Sequence, residues 1–262
     1  EGTQDEINLT ERTQPLLLTS SVAIWRLWEE MQGPVPAQLA GHSLGEWSAL
    51  VCAGVLRFAD AVSIVKARGS YMQDAVPVGV GAMSAIIGLD DEAIGTACTE
   101  AQRFGVVAAV NYNAPGQVVI AGEVKAVEQA MSLCKAAGAK RTLPLPVSAP
   151  FHTSLMRPAA ERLTALVEST VFSSPVIPVI HNVNGQVQAD TKIIKSLMIE
   201  QIYSPVRWVD CVLTLRDRGA EHLIECGPGR VLNGLSKRID RELRSFATDD
   251  IGSLENALAS IK

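Results

Sequence analysis

The chain has 262 residues, 47% of them hydrophobic, and a net charge of −5. That length supports one large domain or two closely joined ones, and the acidic balance excludes a general attraction to nucleic acid or anionic membrane. There is no basic-aromatic interleaving, no uncharged run of spanning length and no secretory leader; a cytoplasmic setting is expected, and separately a monomeric state. The five cysteines, Cys52, Cys98, Cys134, Cys211 and Cys226, are scattered and lack C-x-x-C spacing. They read as core thiols rather than as a disulfide frame or a zinc site.

Residues 1–13 are polar and acidic, with no visible core face. A helix is expected over 15–31, with Leu17, Ile24, Leu27, Trp28 and Met31 as its apolar face. A short buried strand at 38–41 then runs into Gly41-His42-Ser43-Leu44-Gly45, and a helix follows to Ala53. Gly-x-Ser-x-Gly between strand and helix is a nucleophile elbow. Its serine sits on a strained turn, and both glycines are expected to remove Cβ atoms that would clash. The N–H of Leu44, at the helix start, is aimed where an oxyanion would form. The helix at 58–76 would bury Ala61, Ile64, Val65 and Met72, and it carries Arg68 one turn before Met72.

Residues 81–147 read as a unit of their own. Strands are expected at 82–89, 106–112, 117–121 and 140–147, with helices at 91–104 and 124–137. The order βαββαβ is that of a ferredoxin-like unit inserted into a larger α/β body. After Pro150 the body resumes with a helix at 153–171, broken near its start by Pro158, and a strand at 176–183. Helices at 193–203 and 209–218, a strand at 222–225 and a helix at 231–241 follow. The alternation implies a mostly parallel sheet covered on both faces.

An activated serine needs a base, and the chain has four histidines. His42 adjoins the serine and points away from it. His222 precedes a buried strand and reads as structural, and His181 lies in a strand interior. His152 sits in a junction loop between the small unit and the body, which suits either a group reaching across a cleft or an exposed loop histidine. No acid stands in an obvious triad position, with Glu225 the nearest approach, so a backbone carbonyl is the alternative orienting group. Arg68 serves either a solvated face or the bidentate grip of an anionic substrate group. Asn111, Asn113 and Gln117 cluster around a proline turn. Gly227-Pro228-Gly229 lacks the lysine and spacing of a phosphate loop.

Taken together, these stretches resemble the bacterial malonyl-CoA:acyl-carrier-protein transacylases, of the acyltransferase family of fatty-acid and polyketide synthesis. The match rests on G-H-S-L-G-E at 41–46, A-R-G-x-x-M-Q at 67–73 and N-Y-N-A-P-G-Q at 111–117. It continues with P-F-H at 150–152, Q-x-x-x-P-V-x-W at 201–208 and E-C-G-P-G at 225–229. The resemblance implies an α/β-hydrolase-like catalytic body over 1–77 and 148–262, with a ferredoxin-like subdomain over 78–147. It implies ping-pong transfer with Ser43 as nucleophile, His152 as base, the Gln201 carbonyl orienting His152, and Leu44 N–H in the oxyanion hole. Arg68 would pair with the free malonyl carboxylate. Met72, Asn111, Asn113, Gln117, Phe151 and His42 would line the substrate site, with Phe151 crowding a branched α-carbon.

Malonyl-CoA would be the donor, and the phosphopantetheine thiol of acyl carrier protein the acceptor, with no bound cofactor and no metal. An acidic carrier calls for a basic dock, for which Lys140, Arg141, Lys237 and Arg238 are the candidates. The family also begins with an apolar strand and a G-Q-G-S-Q loop that the 262 residues do not contain, so a longer natural N-terminus is expected. The competing readings are a serine thioesterase or esterase, a polyketide acyltransferase and a non-catalytic carrier-docking module.

Overall fold

In the computed structural model, residues 7, 9–147 and 149–261 are described. The chain opens with α1 (Thr10–Glu30), β1 (Leu39–Ala40), α2 (Leu44–Cys52) and α3 (Phe58–Asp74). Helix α1 starts five residues before the expected 15, in a stretch read from sequence as faceless. Its buried residues are Gln14, Leu18, Val22 and Trp28, while Leu17 and Leu27 are each 39% exposed. The stripe is thus rotated from the expected one because a polar side chain, Gln14, belongs to the buried face. Close packing of α1 on α3 depends on Gly69, where a Cβ would lie 2.5 Å from the Thr10 carbonyl oxygen.

The small unit follows as β2 (Gly81–Ile87), α4 (Asp91–Ala101), β3 (Val107–Ala114), β4 (Gln117–Glu123), α5 (Val124–Ala136) and β5 (Arg141–Pro144). Its strands form one sheet of order β3-β4-β2-β5, with each neighbour antiparallel. Strand alternation divides the side chains between two faces. Ile86, Val118 and Ile120 pack against Ile94, Ala97 and Val127 of the helices. Met83, Val119 and Ala121 turn the other way, toward Phe151. The β3 edge is continued by the body, since Tyr112 N–H donates to Val206 O at 3.0 Å and Val206 N–H to Val110 O at 2.8 Å.

The chain then returns through α6 (Arg157–Ser169), β6 (Val179–Ile180), α7 (Thr191–Glu200), α8 (Trp208–Asp217), β7 (His222–Glu225), α9 (Val231–Ile239), β8 (Arg244–Ala247) and α10 (Ile251–Ile261). The segment expected as a helix at 153–171 is broken near its start, as a 3-10 turn at Ser154–Met156 gives way to α6 just before Pro158. Pro158 occupies the first turn of α6, where a missing N–H costs nothing. β8 and α10 were not expected from sequence. The strand has four residues and no flanking turn signal, and Leu254, Ala257 and Leu258 of α10 close over Trp28.

Body strands pair in parallel, as expected, but among the described residues they form two separate pairs, β1 with β6 and β7 with β8. With two to four residues apiece, these strands are too short to build a continuous ladder. The main core gathers Leu18 and Val22 of α1, Trp47 and Leu50 of α2, Ile64 and Met72 of α3, Leu163 of α6 and Met198 of α7. Each such side chain contributes about 1.5–3 kcal/mol by leaving water. The five cysteines are free, and burial pushes every thiol above its ordinary value. No described helix is long and apolar enough to cross a membrane.

Candidate active site

Ser43 ends the turn between β1 and α2 at φ 50° and ψ −104°. This is a conformation that a non-glycine residue holds only when its surroundings impose it, at a cost of about 1–3 kcal/mol. Gly41 makes the turn possible, because a Cβ there would lie 2.0 Å from the Gly45 carbonyl carbon. The expectation for Gly45 is not met, since a Cβ there would meet nothing within 4 Å. Two side chains hold the strained peptides. Asn182 Oδ1 accepts from Ser43 N–H at 2.7 Å, and its Nδ2 donates to Gly41 O at 2.8 Å. Gln201 Nε2 donates to Ser43 O at 2.9 Å.

The Ser43 hydroxyl lies 2.9 Å from His152 Nε2, and His152 Nδ1 lies 2.8 Å from the Gln201 carbonyl oxygen. A carbonyl can only accept, so the proton is on Nδ1 and the Nε2 lone pair faces the serine. His152 also has positive φ, 63°. Burial, and then the Arg68 cation, lower its pKa to about 3, opposed by the bond to Gln201. The ring is therefore neutral at physiological pH. Glu225, the nearest sequence candidate for a triad acid, instead accepts from Leu232 and Asn233 N–H at the start of α9.

Arg68 is buried, 2% exposed, on α3. Its Nη1 donates to Gln14 Oε1 at 2.8 Å, and its Nη2 donates at 3.1 Å both to Ser43 Oγ and to Gln201 Oε1. Nε is buried without a partner among the described residues. Burial lowers the guanidinium pKa to about 10, with Glu46 opposing, so the group stays charged. Nucleophile, base and cation thus converge on one oxygen.

His42 turns from the serine, as expected. Its Nε2 lies 2.8 Å from Asn113 Oδ1, its ring lies against Trp208, and burial lowers its pKa. Leu44 is the first residue of α2, so its N–H has no acceptor within the helix. Met72 is buried in the main core, and Phe151 lies where that core meets the sheet face. Asn111 is buried on β3 opposite Val206. Gln117 does not join this cluster; its Oε1 accepts from Arg238. Among the basic candidates, Lys140, Arg141, Lys237 and Arg238 are all exposed.

His181 turns its Nδ1 to Glu46 rather than to the serine. It is fully buried and pairs with Glu46 Oε1 at 2.7 Å. Three residues were missed from sequence: Gln14, Glu46 and Asn182. Glu46 had a signal, the three-residue step from Ser43 in G-H-S-L-G-E. Gln14 and Asn182 had none, since one lies in a polar run and the other follows a two-residue strand.

The acyl transferase domain family matches residues 2–248. A malonyl CoA-acyl carrier protein transacylase from Salmonella typhimurium is 53% identical over 258 residues, spanning 98% of this chain and 84% of its own. The Bacillus subtilis protein of the same name is 45% identical over 263 residues, spanning 100% and 83%. Among solved structures, an acyl carrier protein S-malonyltransferase from Vibrio cholerae superposes with TM-score 0.96 at 55% identity, spanning 98% of this chain and 84% of that one. A malonyl-transacylase in complex with its type II PKS acyl-carrier protein superposes with TM-score 0.98 at 51% identity, spanning 99% and 84%.

Proposed function

The chain belongs to the acyl transferase domain family, and from that premise we infer how its site works. It is an S-malonyltransferase that moves the malonyl group from malonyl-CoA to acyl carrier protein, supplying fatty-acid elongation. The observation that carries the mechanism is the meeting of His152 Nε2 at 2.9 Å and Arg68 Nη2 at 3.1 Å on Ser43 Oγ.

Ser43 Oγ attacks the thioester carbonyl while its proton passes to His152 Nε2, and the Gln201 carbonyl steadies the resulting imidazolium through Nδ1–H. The developing oxyanion is met by Leu44 N–H at the helix N-terminus. Collapse breaks the C–S bond, the proton returns from Nε2 to the leaving CoA sulfur, and a malonyl-serine ester remains. The phosphopantetheine thiol then attacks that ester, giving its proton to Nε2, and Ser43 leaves by taking it back. A thiolate departs more readily than an amine, so a weak base suffices. Arg68 releases Ser43 Oγ to take the malonyl carboxylate. That pairing neutralises the cation that depresses His152, so the base strengthens when the correct acyl group arrives. A buried cation on the nucleophile has no use in an esterase, which disfavours simple hydrolysis.

His42, Asn113, Asn111, Met72 and Phe151 border the acyl and pantetheine path in this reading, with Gln117 further out, beside Arg238. The four-stranded order with two helices supports a ferredoxin-like subdomain, residues 78–147, set into an α/β-hydrolase-like body. Gln117 and Arg141 both flank Ile87 in the sheet register. Lys140 lies against Gly88, and Arg238 reaches Gln117. Lys140, Arg141 and Arg238, with Lys237 on the same helix, thus gather at one end of the small sheet as a dock for an acidic carrier. The test is intact mass after mixing with malonyl-CoA. A malonyl increment on Ser43, transferable to carrier protein, is expected, and its absence with intact protein overturns the mechanism.

A further inference from the structure

Ser43 and Glu46 have the S-x-x-E spacing of a capping box, in which serine takes the amide of the third helical residue and glutamate returns to the cap amide. Neither bond forms. Ser43 makes no side-chain cap, and its amide goes to Asn182 Oδ1. Glu46 instead turns inward and has no exposed surface. Its Oε2 accepts from Gln201 Nε2 at 2.7 Å and from Asn182 N–H at 3.1 Å, and its Oε1 from His181 Nδ1 at 2.7 Å. A carboxylate buried this fully is tolerated only when donors surround it, and three do.

Gln201 is the hub of this arrangement. Its main-chain oxygen receives His152, its Nε2 serves Glu46 and Ser43 O, and its Oε1 receives Arg68. An amide can be turned end for end, and its neighbours decide which end goes where. Glu46 can only accept, so it draws the NH2 end toward itself and leaves the oxygen for the guanidinium. Without that acceptor, Ser43 O is the one acceptor left to the NH2 end, and the amide that meets Arg68 is held less firmly.

We propose that Glu46 is a positioning residue for acyl transfer, which fixes the Gln201 amide and thereby holds Arg68 and His152 in one register about Ser43. The inference rests on Ser43 as nucleophile and His152 as base. Label on a residue other than Ser43 in the unaltered protein would overturn that reading, whereas the tests below address Glu46.

Single-turnover acylation by malonyl-CoA is followed by intact mass, with the rate constant taken from the fraction of enzyme that labels. Glu46→Ala is expected to slow it about 10²-fold, the scale of a displaced reacting group, and to raise KM for malonyl-CoA. Glu46→Gln keeps an oxygen for Gln201 once His181 changes tautomer, and is expected to stay within about fivefold of the unaltered rate. Gln201→Ala leaves the main-chain carbonyl in place and should reproduce Glu46→Ala. Combining the two should add no more than about threefold, because both remove one linkage. A purely structural glutamate would shrink the labelled fraction and leave its rate constant unchanged, and that result overturns the proposal. So do losses that multiply in the double variant. Should Glu46→Ala fail to fold, Gln201→Ala leaves no buried charge without donors and decides alone, since an unaltered rate and KM there refute the linkage.

Discussion

Replacing Arg68 by Ala isolates the group proposed to distinguish a malonyl from an acetyl donor. In the resting site the guanidinium spends three bonds on Gln14, Ser43 and Gln201, and its Nε–H has no partner among the described residues. The Nη2–Nε edge beside the serine is therefore the one a carboxylate would take. Removing one member of a buried, hydrogen-bonded charge pair costs about 3–5 kcal/mol. At about 1.4 kcal/mol per tenfold, the lower end of that range is a loss of 10²–10³ in kcat/KM for malonyl-CoA. Acetyl-CoA presents a methyl to the same place and loses no charge pair. It also gains from a His152 no longer opposed by a neighbouring cation.

The malonyl-to-acetyl ratio should therefore fall by about 10²-fold or more, read as acylation of Ser43 by each CoA ester. Arg68→Lys should fall between, since a point charge on a flexible stem cannot serve Gln14 and the substrate together. Calorimetry must accompany the kinetics, because the alanine variant leaves Gln14 Oε1 and Gln201 Oε1 without their donor. A folded Arg68→Ala protein whose ratio stays within about threefold of the unaltered one would refute the charge-pairing argument.

Gly41→Ala should abolish labelling and destabilise by about 1–3 kcal/mol, because its Cβ has no room, while Gly45→Ala should leave stability unchanged or raise it by up to about 1 kcal/mol. Equal melting temperatures for the two variants would contradict the elbow geometry. His152 is neutral in the fold down to about 3, whereas an unfolded chain protonates its histidine near 6.5. Above about pH 6.5 this residue adds no pH dependence; below it only the unfolded state gains the proton, so stability falls by up to about 1.4 kcal/mol per pH unit. Urea titrations at pH 7 and pH 5 should show a smaller difference in His152→Gln than in the unaltered protein. Reversing charge at Arg141 and Arg238 together should raise KM for carrier protein about tenfold and leave KM for malonyl-CoA unchanged; parallel changes in both would remove the docking assignment.

The elbow serine was legible from its strand-to-helix spacing, whereas His152 and Arg68 each read two ways from the residues and were singled out through the family resemblance. The four-stranded unit was legible from its βαββαβ order and from the proline turn between its two middle strands. What escaped has a common cause. Gln14 lies in a polar segment whose burial is decided by Gly69 and Arg68, more than fifty residues away in sequence. Asn182 matters because it lies across from Gly41 and Ser43, a pairing made by β1 beside β6. Glu46 looks locally like half of a helix cap, and only the distant Gln201, Asn182 and His181 redirect it. His152 and Arg68 also meet distant partners, but they lie in motifs that a resembling family carries, whereas the roles of Gln14, Asn182 and Glu46 are set by tertiary neighbours to which no local signal points.

The raised pKa values of Cys52, Cys98, Cys134, Cys211 and Cys226 have a further bearing. Attack on a disulfide requires the deprotonated sulfur, and burial keeps all five protonated at neutral pH. Both substrates carry a sulfhydryl that is bared and masked in turn, and oxidised CoA or oxidised carrier would trap an enzyme with an ionised cysteine as a mixed adduct. This chain offers such disulfides no ready handle, so its turnover should be indifferent to oxidised CoA. Maleimide tagging for spectroscopy will accordingly need a cysteine introduced on the surface.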